Sequence, residues 1–255
     1  MTIPKIIYQT WKTKSLPLNV QKVRDKISKI NPEYKLILFD DDDIDNFIKK
    51  NFDIKIYNLY KKLNVGAAKA DFWRYCILYI NGGVYLDIDS DIIRPLDELI
   101  EDEDKCIITR EGNLGFFNNW IMIFEKHHPI LLETIIQCCY NIENKITNDI
   151  CYLTGPHGPF TNSINKIMLP LYNLYNNINN SNSNITNLYF EKDEVLNSVF
   201  NNKNNNNNNN NELDKVRCKF YKIDMGTFAK WKHDYIDELY KSSVYWRNEK
   251  KIFND

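Results

Sequence analysis

One central segment limits the fold more than any other. Val65 to Ile80 reads as a long helix, with Val65, Ala68, Phe72, Cys76 and Tyr79 making one apolar stripe. Asn81-Gly82-Gly83 ends it, and an apolar strand begins at once with Val84, Tyr85 and Leu86. That strand delivers acids: Val84, Leu86 and Ile88 alternate with Tyr85, Asp87 and Asp89, the period of a β-strand. If it continues, Asp87, Asp89 and Asp91 share one face, about 6.6 Å apart at roughly 3.3 Å per residue. Carboxylates held so close repel one another, and a hard divalent cation removes that repulsion while bridging to phosphates. A solvated acidic turn after a strand is the plainer reading of the same residues.

The flanking sequence repeats the alternation of strand and helix. Lys5 to Trp11 reads as a buried first strand, and Val20 to Ile30 has helical spacing that Asn31-Pro32 stops. Tyr34 to Phe39 is a second strand. Asp40 to Asp43 then precedes the apolar-periodic Ile44 to Ile48, which predicts a helix N-cap and acidic first turn rather than a metal site. Further strands are expected near Ile107 to Thr109, Asn119 to Phe124 and Lys219 to Ile223, and helices at Pro129 to Tyr140 and Phe160 to Met168. Thr154 to Pro159 reads as a turn-rich loop. The expectation is an α/β fold: one Rossmann-like domain over residues 1–255, with a mostly parallel central sheet flanked by helices.

Composition excludes several functions. The net charge is −1 with Lys and Arg scattered, so no basic patch points to nucleic acid. Cys76, Cys106, Cys138, Cys139, Cys151 and Cys218 form no Cys-x-x-Cys pair and read as ordinary thiols. No run of 18 apolar residues predicts a membrane span, and the strand-like start predicts no signal peptide. Cytoplasmic, conceivably virion-associated, is the corresponding expectation. The run Asn204 to Asn211, inside a polar tract at about 176–211, predicts a mobile surface loop.

Four separated pieces share one pattern: Ile3-Pro-Lys-Ile-Ile-Tyr-Gln-Thr-Trp11, the block from Lys69 to Asp89, Thr154-Gly-Pro156, and Ser242-Ser-Val-Tyr-Trp246. Together they resemble the DXD-motif sugar-nucleotide glycosyltransferases, the family that includes the yeast initiating α-1,6-mannosyltransferase, and more distantly the glucosyltransferase domain of clostridial toxins. The resemblance covers residues 3–161 well and the tail thinly. It implies a GT-A fold, Mn²⁺ or Mg²⁺, and a donor such as a UDP-sugar or GDP-mannose. The implied reaction is retaining transfer of a hexose to a hydroxyl on a glycan or protein. Family members often work in the Golgi behind an N-terminal anchor; with none predicted here, the expectation is a cytosolic enzyme of viral or bacterial origin.

Carried onto this chain, Asp71 and Arg74 would hold donor sugar hydroxyls, Arg74 also reaching phosphate. Asp87 would contact the donor and reach the metal, and Asp89 would ligate it directly. Trp11 would stack on the base. Either Asn118 or Asn119 would touch the donor, Asn119 being the choice. A lid at about 226–250 would bring Ser243 and Trp246 to the diphosphate and His233 to the metal. Each role has a plain counterpart: an Asp71–Arg74 surface ion pair at i, i+3, Trp11 in the core, His233 on the surface. His157 reads as a solvated loop histidine, and His127 and His128 as structural. Two other classes compete: a member that binds nucleotide or glycan without turnover, and a phosphohydrolase or nucleotidyltransferase.

Overall fold

The computed structural model describes residues 3–111, 115–168, 218–222, 228–232, 234–235, 237, 239 and 252–254. The elements run β1 (Ile6–Thr10), α1 (Leu18–Ile30), β2 (Lys35–Phe39), α2 (Asp41–Asn51), α3 (Ile54–Lys62), α4 (Gly66–Asn81), β3 (Gly83–Leu86) and β4 (Asp91–Ile92). Then follow β5 (Cys106–Glu111), β6 (Phe116–Phe117), β7 (Ile121–Phe124), α5 (Pro129–Glu143), α6 (Ile150–Leu153), β8 (Cys218–Lys222) and β9 (Ala229–Lys230).

The central sheet has the order β2-β1-β3-β7-β5-β6, with β8 also paired to β5. Strands β1, β2, β3, β5 and β8 run in one sense, while β7 and β6 oppose them. This is an α/β fold with a mostly parallel central sheet. Strict alternation divides the strand residues between two apolar layers. Tyr8, Tyr85, Ile108, Met122 and Phe124 join the layer built with α2 to α5. Ile7, Val84, Leu86, Ile107, Ile121 and Ile123 join the layer that α1 covers through Val23 and Ile27. Among the described residues, no helix is long and apolar enough to cross a membrane.

Local chemistry sets the element boundaries. Asp40 caps α2 reciprocally: Asp43 N donates to Asp40 Oδ1 at 2.9 Å and Asp40 N to Asp43 Oδ2 at 3.2 Å. The acids at 40–43 are therefore capping groups, as their position predicts. α4 ends at Gly82 (φ +66°), and Gly83 (φ +107°) opens β3. A Cβ at Gly83 would meet Ile6 O at 2.8 Å, so the stop also lets β3 lie against β1.

Four expectations change. The strand does not carry all three acids, because β3 ends at Leu86 and Ser90 N donates to Asp87 O at 3.0 Å, closing a turn. Asp91 leaves with β4 and pairs with Lys26. Pro156–Phe160 is a π-helical turn rather than open loop, and His157 stacks on Phe116 at 4.3 Å instead of standing in solvent. Cys106, in register with Cys218 across β5 and β8, is disulfide-bonded rather than an ordinary thiol. Cys76, Cys138 and Cys139 are free thiols. The Asn204 to Asn211 run lies outside the described residues, as does most of the proposed lid.

Candidate functional site: a buried guanidinium between two acids

α4 is not amphipathic. Residues Phe72, Trp73, Tyr75, Cys76, Ile77 and Leu78 are all fully buried, so the helix is enclosed on every side. Asp71 and Arg74 share that enclosure at 7% and 6% exposure, which rules out a solvated surface pair. A buried charge without a partner costs several kcal/mol, so both must be compensated locally.

The compensation comes from the end of β3. Alternation turns Asp87 toward the same side of the sheet as Tyr85, where α4 lies. Arg74 Nη2 stands 3.2 Å from Asp71 Oδ1 and 3.2 Å from Asp87 Oδ1, bridging the two acids. Its remaining donors are used on backbone: Nη1 to Asn119 O at 2.7 Å and Nε to Ala70 O at 3.3 Å. The guanidinium carbon lies 4.4 Å from the centre of the Tyr85 ring, and the Tyr85 hydroxyl donates to Asp87 Oδ1 at 2.6 Å.

Asn119 completes the cluster. Its Nδ2 donates to Asp71 Oδ1 and to the Tyr75 hydroxyl, each at 2.9 Å. Asn118 faces elsewhere, its Nδ2 donating to Arg110 O at 3.2 Å. Of the two asparagines, Asn119 stands with Asp71 and Arg74.

The electrostatics follow from burial and charge. Burial pushes the Asp71 carboxyl up, Arg74 pulls it down, and Asp87 raises it again, leaving it at about 6. Burial likewise raises Asp87, against Arg74 and the Tyr85 hydroxyl, which lower it. Burial alone would lower Arg74, but Asp87, Tyr85 and Asp71 outweigh it, so the guanidinium holds its proton more firmly than usual.

Beyond Asp87 the chain turns. Asp87 N donates to Trp120 O at 2.8 Å, and Asp89, 7% exposed, takes the Ser90 hydroxyl at 3.4 Å. Both Arg74 and Tyr85 engage Oδ1 of Asp87, whose side chain keeps 26% of its surface accessible. Among the described residues no three His, Cys, Asp or Glu side chains gather as a metal cage.

Trp11, just past β1, is half-buried against Val20, Ile88 and Leu239, with its N donating to Phe39 O at 3.1 Å. His128 is wholly buried at the start of α5, where its Nδ1 accepts from Ile130 N at 3.3 Å; burial drives its pKa down to about 3. It is structural, as its position before Pro129 implies. His233, Ser243 and Trp246 lie outside the described residues.

Residues 17–105, which carry Asp71, Arg74, Asp87 and Asp89, match the model of the glycosyltransferase sugar-binding region containing the DXD motif. Over this stretch the chain is similar to that family, and it also aligns with curated relatives. Inositol phosphoceramide mannosyltransferase 3 of Schizosaccharomyces pombe is 35% identical over 133 residues, covering 52% of this chain and 36% of that protein. An uncharacterized glycosyltransferase, L373, of Acanthamoeba polyphaga mimivirus is 45% identical over 89 residues, 34% of this chain and 36% of its own. The initiation-specific alpha-1,6-mannosyltransferase of Candida albicans is 29% identical over 160 residues, 52% and 41% of the two chains. The chain thus spans well under half the length of these relatives. Among solved structures, the PaToxG glycosyltransferase shares the fold, with a TM-score of 0.56 over 84% of each chain at 16% identity.

Two buried residues escape the sequence reading. Gln9 is fully enclosed and donates through Nε2 to Asp87 O at 3.4 Å, and Arg24 donates to Gln9 Oε1. A signal was present: Arg24 interrupts the apolar spacing of Val20, Val23 and Ile27, and Gln9 interrupts an apolar strand.

Proposed function

We propose that this protein is a metal-dependent glycosyltransferase that moves a hexose from a nucleoside-diphosphate sugar to a hydroxyl of a glycan or protein. The observation that carries the reading is the buried Arg74 bridging Asp71 and Asp87, beside a turn that presents Asp89, inside the region that matches the DXD-motif model. Several relatives carry mannosyltransferase names, which supports testing GDP-mannose first among donors and UDP-sugars next.

Asp71 would accept hydrogen bonds from donor sugar hydroxyls, oriented by the hydrogen bond from Asn119 Nδ2. Arg74 supplies a planar fork of donors that holds Asp87 while its charge favours phosphate or sugar oxygens. Asp87 and Asp89 would hold Mn²⁺ or Mg²⁺, which when bound stabilises charge on the departing diphosphate. Trp11 offers a flat apolar face for the base. The Thr154–Pro156 segment would border the approach of the acceptor. We assign a retaining outcome with the acceptor attacking from the face the nucleotide leaves; an inverted product anomer by NMR would refute it. Should the lid residues act, His233, Ser243 and Trp246 would close on the diphosphate.

The decisive experiment measures Mn²⁺-dependent hydrolysis and binding across GDP- and UDP-sugars, with Asp89→Asn alongside. Turnover of one donor, lost without metal and in the variant, is expected. Metal-dependent binding without turnover even when candidate acceptors are added would favour the binding-only class. Absence of metal-dependent binding to every donor would refute the proposal.

A further inference from the structure

Arg24 is a charge in an apolar place. It lies on the face of α1 that packs on the sheet, beside Val23 and Ile27, and is 8% exposed. Among the described residues it forms no ion pair; its guanidinium donates to the amide oxygen of Gln9. Burial pulls its pKa below the ordinary guanidinium value, the neighbouring Asp25 only partly offsetting this. An apolar side chain at position 24 would extend the spacing of Val20, Val23 and Ile27 without the cost of desolvating a charge. Arg24 must therefore serve through its donors.

What it donates to is fixed in turn. Gln9 is fully buried on the α1 side of β1, sharing its face with Ile7. Since the guanidinium has only donors, the Gln9 amide oxygen must face it, and Nε2 then points at Asp87 O, 3.4 Å away. The same carbonyl accepts Ser90 N at 3.0 Å and so closes the turn that carries Asp87 and Asp89. Arg74 grips the Asp87 carboxylate from the α4 side of the sheet. Gln9 holds the Asp87 carbonyl from the other side.

We propose that Gln9 and Arg24 are positioning residues, which fix the Asp87–Ser90 turn from the face of the sheet opposite Arg74 and so set the aim of the Asp87 and Asp89 carboxylates. The part of this inference that concerns ligand rests on reading that turn as the donor- and metal-holding element.

Gln9→Glu separates positioning from mere filling. A glutamate at position 9 pairs with Arg24 and keeps the fold, but it has no proton to give the Asp87 carbonyl. The metal-free variant should melt at or above the wild-type temperature. Its Ser90 amide should exchange hydrogen roughly fivefold faster, and Mn²⁺-dependent binding of GDP or UDP should weaken by a similar factor, the worth of one hydrogen bond. A folded Gln9→Glu protein with Ser90 exchange and nucleotide affinity both at wild-type levels would overturn the proposal. If that variant does not fold, Arg24→Met and Arg24→Lys decide. Faster Ser90 exchange in the methionine variant, restored by lysine, supports positioning, and wild-type exchange in the methionine variant overturns it. Failure of the wild-type protein to bind any nucleotide would count against the functional reading alone, because Ser90 exchange is read without metal or nucleotide.

Discussion

Replacing Arg74 with methionine tests the site at its centre. The side chain is 7% exposed and bridges Asp71 and Asp87 at 3.2 Å each, with the two acids themselves 11% and 26% exposed. Methionine fills much of the same volume, so packing loss is minor and the change is mainly electrostatic. Removing one partner of a buried ion pair typically costs about 3–5 kcal/mol, because the other charge stays behind. At roughly 2–4 °C per kcal/mol for a chain of this size, the melting temperature should fall by about 10 °C near pH 8. The sign with pH is also fixed. Without the guanidinium, both carboxyls take up protons at higher pH than in the wild type, and each bound proton relieves repulsion. One pH unit and one proton are worth about 1.4 kcal/mol, so the deficit at pH 5 should be smaller than at pH 8 by about 2 kcal/mol or more. Urea denaturation followed by circular dichroism at the two pH values measures both numbers. A loss below about 1 kcal/mol, or one equal at both pH values, would show that the pair is solvated and that the enclosed bridge is wrong.

Three more outcomes follow from the structure. Asp71, held at about 6 against 3.8 for a free carboxyl, ionises in the unfolded chain first. Its contribution is therefore lost as pH rises from about 4 to about 6, a stability decline of up to about 3 kcal/mol that Asp71→Asn should abolish; an unchanged pH profile in that variant would refute the assignment. If ionised Asp71 accepts the sugar hydroxyls, as proposed above, donor turnover should rise with pH through about 6, as a pH–rate profile would read. Gly83→Ala should destabilise by more than about 1 kcal/mol, since its φ is +107° and the added Cβ meets Ile6 O at 2.8 Å; denaturation at the wild-type midpoint would contradict the β1–β3 approach.

Local features were legible in the sequence because they depend on neighbours a few residues away. The Asp40 cap, the glycine stop after α4 and the Asp71–Arg74 spacing are all of that kind. Alternation also gave the side of β3 on which Asp87 emerges. What failed required knowing where other strands lie. The acidic strand was extended too far, because its end is set by Trp120 O and by the turn to Ser90, neither visible in a period-two pattern. α4 looked amphipathic because a stripe of apolar residues was present, whereas polar-looking positions on its other faces are covered by tertiary contacts. Cys106 comes beside Cys218 only through the pairing of β5 with β8, far apart in the chain. Gln9 and Arg24 were visible as polar intrusions into apolar patterns, yet their target is a backbone carbonyl 78 residues from Gln9.

The enclosure of α4 has a consequence for how this sequence can drift. A helix with one wet face accepts change there and protects its dry face. From Asp71 to Leu78 no position offers a wet face, so any exchange of one side chain must be matched by its neighbours. The Asp71 and Arg74 side chains therefore sit where packing alone would hold the backbone in place, whether or not a substrate ever arrives. Selection on shape and selection on chemistry fall on the same eight residues, and a lineage that abandoned the reaction would still find the scaffold of the site costly to erase.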